Sequence, residues 1–492
     1  MSVVARQGIK YSLIGYFGFL LGTFSTIFIF PYDIEFYGKL RYILPTAEML
    51  LPIVVFGLSF SNVKFFTKTQ FDNKHHNFLS LSLLGVVANF IIFSLLFFAF
   101  FYFFPEFKQW KIWQAKQLIL PLILILALSA IFNKYISNFK RIVIPNIFEN
   151  IFPKLANLGA FSLFFFIGFS ENWAFAFFFA MFVLALLGYV FYANKLEKIR
   201  PDFDWSYIKQ NGFWKEIFSY SLFGFLGNIG NYIAFRVDNF MIGEFLSFKE
   251  NGAYSVILSI LSFIMIPQMG LNNISAPIIN KTIAEGNFQE LDQFHKKTSL
   301  SLFFLGAVLF SCILVGFQYL TMIIKNGDQL LLVEPVIWIL GSSMLFDLAT
   351  GFNGHIISLS KHYKFTIVVM LFLAITTIML NYIFIKYTSL GLIGIALATA
   401  ISLSSFNLIK IIFNYIKFKV FPFSIEMVYA SILCTSAVTI SIILPPFDSV
   451  FINIIYKPLV VLVIIFIGNH FMKIYPMNQY LNMKFVKSLF KF

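Results

Sequence analysis

Fourteen stretches of this chain are long and apolar enough to lie in hydrocarbon, which leaves the backbone almost no choice. In lipid every N–H and C=O must find a partner within the protein, so an apolar run of about 20 residues has to be a helix. The runs are 8–30, 43–63, 78–104, 117–137, 142–169, 172–194, 216–243, 253–275, 299–324, 334–359, 365–385, 389–416, 423–444 and 450–472. The residue-by-residue alternation of a membrane barrel is absent. Apolar residues make up 59% of the chain and charged ones 12%, so no soluble domain is left over. The expected fold class is an all-α polytopic membrane protein with fourteen transmembrane helices. Gly8 to Phe30 is too long for a signal-peptide core and has no small-residue cleavage site after it, so it stays as the first helix. Cys312 and Cys434 both fall inside apolar runs and do not support a disulfide scaffold.

The runs come in two sets. Tyr11-Ser12-Leu13-Ile14-Gly15-Tyr16-Phe17-Gly18 returns as Tyr220-Ser221-Leu222-Phe223-Gly224-Phe225-Leu226-Gly227. Further on, Ser80-Leu81-Ser82-Leu83 returns as Ser299-Leu300-Ser301-Leu302, and Phe132-Asn133 as Phe352-Asn353. The expected organisation is a first six-helix bundle over 1–195, a cytoplasmic linker over 196–215, a second six-helix bundle over 216–418, and two additional helices with a tail over 419–492. Alternate loops carry 23 Lys and Arg on one side and 8 on the other, which places both termini in the cytoplasm. Both halves then begin on the same side, as parallel repeats about an axis along the membrane normal, with a cleft between them. The net charge of +14 is accounted for by loop lysines beside an anionic leaflet, and no basic run has the aromatic interleaving that nucleic acid requires.

Local cues accompany this pattern: Arg6-Gln7-Gly8 before the first helix, Pro31 and Phe36-Tyr37-Gly38 in the first outer loop, Asp238-Asn239-Phe240-Met241-Ile242-Gly243, and Gly252-Ala253-Tyr254. With its six-six-two arrangement, the chain resembles the polysaccharide and oligosaccharide flippases of the multidrug/oligosaccharidyl-lipid/polysaccharide exporter superfamily. The resemblance covers nearly the whole chain. It implies movement of an undecaprenyl-diphosphate-linked sugar unit, an O-antigen or capsule repeat, across a bacterial inner membrane by alternating access. It also implies lipid contacts and pathway partners such as a polysaccharide polymerase and glycosyltransferases, and no cofactor beyond a coupling proton or sodium ion.

Such a substrate needs a cleft that is polar inside, and charges within membrane helices are the first candidates to line it. Lys154 and Arg236 are read as contacts to the diphosphate, or alternatively as members of packing ion pairs. Lys134 and Lys410 join them as substrate candidates, although each lies close enough to a helix end to snorkel. Asp347, Glu149, Glu48 and Asp238 are the ion-coupling candidates. Asp347 has no basic residue within a helical turn, so either another helix partners it or it carries a proton. Arg236 and Asp238, about 200° apart on a helix, cannot pair, whereas Glu48 and Arg236 share a depth and could pair across the bundles. The deep set has two positive and four negative members, so a purely cationic clamp does not follow.

His355 reads as a packed histidine or a relay member, and His75 and His76 as solvated loop residues; no metal-ligand spacing is visible. Gly18 and Gly22 form a small-xxx-small pair suited to close helix packing. Asn89, Asn157, Asn228, Asn231, Asn353 and Asn381 could bond sugars or join helices. Two other functions fit parts of the pattern. A drug or cation antiporter of the same superfamily would use the carboxylates for ions, but twelve helices are typical there. A polytopic glycosyltransferase would use Asp33 and Glu35 but would need a large outer loop, and the outer loops are short. The chain is therefore expected not to be an enzyme.

Overall fold

The computed structural model describes residues 3–476, and no strand occurs among them. The long elements are α1 (Val3–Phe28), α2 (Ile34–Val55), α3 (Leu58–Phe71), α4 (His75–Phe103), α5 (Lys116–Ser137), α6 (Val143–Asn150), α7 (Phe152–Phe165), α8 (Glu171–Leu196) and α9 (Phe213–Phe245). They continue with α10 (Phe248–Leu261), α11 (Ile266–Ala284), α12 (Phe288–Ile323), α13 (Pro335–Ala349), α14 (Asn353–Ser358), α15 (Lys364–Tyr387), α16 (Leu392–Phe418), α17 (Ile425–Ile443) and α18 (Val450–Met472).

All fourteen apolar runs are helical, but not all are continuous. Among the described residues, 10 helices are long and apolar enough to cross a membrane, and a bent pair raises this to 11. The bent pair is α2 with α3, at 46°. Pro45 and Pro52 remove backbone donors inside α2, and Phe56 and Gly57 then take left-handed conformations at φ 45° and 71°. Gly57 is required there twice over, since a Cβ would also come within 2.0 Å of the Ser221 carbonyl on α9.

The remaining three runs are the α6–α7 pair, broken at Ile151 ahead of Pro153, the polar 33-residue α9, and the short α13 followed by α14. Glu48 lies on α2, Glu149 on α6, Lys154 on α7, Arg236 and Asp238 on α9, and Asp347 on α13. Every deep charge named from the sequence therefore sits on a run that fails as an unbroken apolar span. Broken helices are tolerated at membrane depth only where protein or a wet cavity takes up the freed backbone groups.

Two compact units emerge from the backbone contacts: residues up to 256 with 370–387, and 257–369 with the residues from 388 onward. In the first, α9 packs along α2 and α3, with the Ser61 hydroxyl of α3 and the Ser221 hydroxyl of α9 2.7 Å apart and Phe56 stacked on Phe225 at 5.1 Å. The Phe36-Tyr37-Gly38 and Gly252-Ala253-Tyr254 cues meet here. A Cβ on Gly38 would lie 1.6 Å from the Phe248 carbonyl, one on Gly252 would lie 2.1 Å from that of Ile34, and Asn251 donates to the Gly38 carbonyl at 3.0 Å. Phe36-Tyr37-Gly38 lies in helix rather than in the first outer loop, because Asp33 caps α2 by accepting from the Phe36 amide at 2.9 Å and so starts it nine residues ahead of the expected 43.

In the second unit, α17 and α18 pack on α12 through a buried core that includes Phe303, Phe304, Ala430, Ala437, Val461 and Ile465. Lys457, 3% exposed, donates to the Ser441 carbonyl at 2.7 Å and to the Leu444 carbonyl at 2.5 Å, so its charge caps the end of α17. Outward-facing apolar residues such as Leu95 at 65% and Phe471 at 77% exposure are the surface expected of lipid-facing helices.

Candidate functional site

Within the first unit, α2, α3, α5, α6, α7, α8 and α9 line a cavity of about 560 Å³. Four of the sequence candidates line it: Glu48, Lys134, Glu149 and Arg236. Its remaining polar wall is made of Ser59, Ser129, Asn133, Asn150, Tyr189, Asn228, Asn231 and Tyr232. Polar side chains share the lining about equally with apolar ones such as Leu51, Phe60 and Phe182, inside a helix set whose outer face is apolar.

The charges are not equivalent. Arg236 Nε donates to Glu48 Oε2, which joins α9 to α2, and Arg236 Nη1 also reaches the Phe235 carbonyl at 3.3 Å. Glu48 and Arg236 side chains stay 25% and 40% exposed, so the pair faces the cavity rather than being sealed in the core. Glu149 is exposed and accepts from the Asn133 amide at 2.9 Å. Tyr189, buried behind it, donates to the Pro145 carbonyl at 3.1 Å. Lys134 lies a turn from the C-terminus of α5 with its ammonium 5.8 Å from the Phe60 ring centroid. Two cations and two carboxylates thus face one space, with only one cation and one carboxylate joined to each other.

Lys154 is not among the lining residues. Its stem lies across Gly22 and its ammonium beside Gly18, since Cβ atoms built there would come within 3.0 Å of Lys154 Cε and 3.1 Å of Nζ. The small-xxx-small pair on α1 is therefore a groove for a lysine, not only a seat for a helix. Asp238 is also elsewhere, 9% exposed, accepting from Tyr254 at 2.7 Å and from Asn381 at 2.8 Å.

In the second unit Asp347 and Lys410 come together. Asn407 on α16 donates to Asp347 Oδ1 at 2.7 Å, so the partner for Asp347 comes from another helix. Lys410, one turn along α16, sits 3.9 Å from the Phe406 ring centroid and within electrostatic reach of Asp347.

Sequence reasoning missed Glu244. It is 8% exposed and accepts from Tyr42 at 2.5 Å and from the backbone amides of Lys111 at 2.7 Å and Ile112 at 3.0 Å. Lys111 in turn donates to the carbonyls of Gly243 and Leu246, the latter at 3.2 Å, at the C-terminus of α9. Burial pulls the Lys111 ammonium below its ordinary pKa, against the opposing pull of Glu244 and Glu250. The available signal was the acidic residue directly after the Asp238–Gly243 motif, which looked like part of a loop. Asp33 is spent as the cap of α2, which gives it a structural role in place of the acidic pair of a glycosyltransferase.

A family model described as polysaccharide biosynthesis protein matches residues 7–276, more than half of the chain. This chain belongs to that family. A second model, MatE, matches residues 225–383. No curated protein matches the chain in sequence. Among solved structures, it is similar to a lipid II flippase MurJ in an inward closed conformation, at 16% identity and a TM-score of 0.69, covering 94% of this chain and 98% of that one. It is similar to an inward-facing multidrug resistance MATE family transporter of the MOP superfamily, at 12% identity and a TM-score of 0.62, covering 82% and 94%. A MOP superfamily transporter from Pyrococcus furiosus matches at 13% identity and a TM-score of 0.51, covering 85% and 95%. The fold is thus that of the MOP superfamily, and these relatives in fold are transporters and flippases, not enzymes.

Proposed function

We propose that the chain is a flippase that carries an undecaprenyl-diphosphate-linked oligosaccharide from the inner to the outer leaflet of a bacterial inner membrane. The observation that carries this reading is the cavity of about 560 Å³, whose lining brings amide and hydroxyl side chains together with Lys134 and Arg236. Its volume lies in the ~300–1,000 Å³ range of small-molecule sites, enough for a diphosphate with its first sugars but not for a long lipid tail. Asn133, Asn150, Asn228 and Asn231 can both donate to and accept from sugar hydroxyls. Lys134, free of any ion pair among the described residues, is the cation that meets the diphosphate. Membership in the polysaccharide biosynthesis family supports the same substrate class.

The lysine-rich loops put both termini in the cytoplasm, and the substrate enters from that side. Rocking of helix bundles then exposes the head group outside while the tail stays in lipid. The coupling ion is a proton or sodium ion. Of the four carboxylates, Glu48 is engaged by Arg236, whereas Glu149 is exposed to the cavity with an amide as its partner and is the one able to exchange an ion during the cycle. Asp238 and Asp347, each held by a neutral amide, are the alternative coupling sites.

The MatE match favours one second reading, a proton- or sodium-coupled cation antiporter in which Glu48 and Glu149 bind the ion and an organic cation. Deletion of the gene separates the two. The flippase predicts lipid-linked oligosaccharide trapped on the inner leaflet and loss of surface polysaccharide, restored by the wild-type chain and not by Lys134→Gln. Unchanged surface sugar with altered dye efflux would establish the antiporter instead.

A further inference from the structure

The turn between α3 and α4 gathers a group of side chains that transport leaves unused. His75 and His76 open α4, and Glu197 directly follows α8. His75 Nε2 lies 2.8 Å and His76 Nε2 3.5 Å from the same oxygen, Glu197 Oε1, and the two rings are 4.2 Å apart at their centroids. One potential ligand atom from each residue lies within 4.8 Å of the other two. His75 is 7% exposed, and His76 and Glu197 are half-buried, so these are not the solvated loop residues suggested by their position in the sequence.

We propose that His75, His76 and Glu197 bind a first-row divalent cation of the zinc class. Ligands bonded at about 2.0–2.1 Å in a tetrahedron stand roughly 3.3 Å apart, and the 2.8 and 3.5 Å separations bracket that value. Two imidazoles with one carboxylate suit zinc and its neighbours, whereas magnesium and calcium prefer oxygen-only sets. Three protein ligands leave a fourth position for water. A carboxylate oxygen only accepts, so His75 Nε2 carries the proton at 2.8 Å from Glu197 Oε1 in the ion-free protein, and an ion that binds there displaces that proton and leaves the ring protonated on Nδ1, which has no partner among the described residues.

The site is assembled before any ion arrives. Lys74 lies 3.2 Å from Asp202 and 3.5 Å from Asp204, which keeps its ammonium engaged with them. Asn77 donates to the backbone carbonyls of Asp202 and Asp204 at 3.2 and 2.9 Å, and Ile208 enters an apolar cluster with Phe65, Phe78 and Phe213. Arg200 is the cation that faces His76 and opposes the metal, so the carboxylate of Glu197 is indispensable. The ion clamps the 197–209 segment to the first turn of α4.

The test uses the tag-free full-length protein in detergent, since an affinity tag would supply its own histidines. Cobalt(II) titration should produce one tetrahedral visible-absorption band per chain, bleached by zinc(II), and zinc(II) should raise the melting temperature. Glu197→Gln keeps the shape and a hydrogen bond but removes the charge, and His76→Ala removes a half-buried ring. Each should weaken cobalt(II) binding at least tenfold and abolish the thermal shift. A wild-type protein without the band, or variants that bind with unchanged affinity, would overturn the proposal.

Discussion

The Glu48–Arg236 pair ties α2 to α9, and its worth can be estimated and measured. Two unit charges 4 Å apart attract by about 4 kcal/mol at an effective dielectric constant of ~20. Here the side chains are 25% and 40% exposed to the cavity, so water screens much of that attraction and has already repaid part of the desolvation cost. Exposed pairs contribute about 0.2–1 kcal/mol, while truncating one partner of a sealed pair costs about 3–5 kcal/mol. A half-exposed pair on two helices should therefore show a coupling of about 1–2 kcal/mol. Glu48→Gln and Arg236→Gln should each destabilise the protein, because each leaves a charge in the cavity wall without its partner. The double variant should lose less than the sum, since two amides can still bond to each other. Equilibrium unfolding of the four proteins in mixed detergent micelles gives the coupling directly. Effects that add to within about 0.5 kcal/mol would refute the pairing as a stabilising contact.

Other outcomes follow from contacts elsewhere. Gly22→Ala should be nearly neutral, because the atoms it meets are the flexible stem of Lys154, whereas Gly22→Leu should expel that stem and cost about 1–3 kcal/mol, as read by thermal melting. Lys457→Met keeps the volume but strips the cap from α17, and should cost about 1–3 kcal/mol in the same assay. The Lys74 clasp on the linker should be insensitive to pH near neutrality. Asp202 is held below the usual carboxylate range, first by the Asp204 amide and then by Lys74, while Lys74 is raised above the usual lysine value, first by Asp202. The carboxylate contribution is therefore present above its unfolded pKa of about 3.9 and lost as pH falls through the lower folded value. The lysine contribution is present below about 10.4 and lost as pH rises through the higher folded value. Hydrogen exchange over 198–209 in a His75→Gln, His76→Gln background, which removes the titrating imidazoles beside Glu197, should show constant protection from about pH 5 to 9 after correction for intrinsic rates; a step within that window would exclude the clasp.

Much of the architecture was legible because lipid permits so few backbone solutions. All fourteen apolar runs are helical, some of them broken in two, and the recurrence of Tyr-Ser-Leu-X-Gly at residues 11 and 220 is visible in the sequence itself. Shared depth was enough to anticipate Glu48 with Arg236, since a membrane sorts charges along one axis and reduces the choice of partners. Depth alone says nothing about which way a side chain points around its helix. That is why Lys154, central in its run, proved to lie in the α1 groove at Gly18 and Gly22, outside the cavity lining. Nor does depth show that Lys410, a substrate candidate also close enough to a helix end to snorkel, rests on Phe406 near Asp347.

What the sequence determined by itself was the solvent, the helices and the list of charges too costly to leave without a partner or a wet cavity. Only the tertiary structure decided which charges met. Pro52 and Pro153 lie beside helix breaks, but the break angles and the neighbours that fill them decide which faces turn inward. Glu48, Lys134, Glu149 and Arg236 then share one cavity, while His75, His76 and Glu197, about 120 residues apart in the chain, converge on a single oxygen. Such convergence depends on the register of packed helices, and no spacing along the chain encodes it.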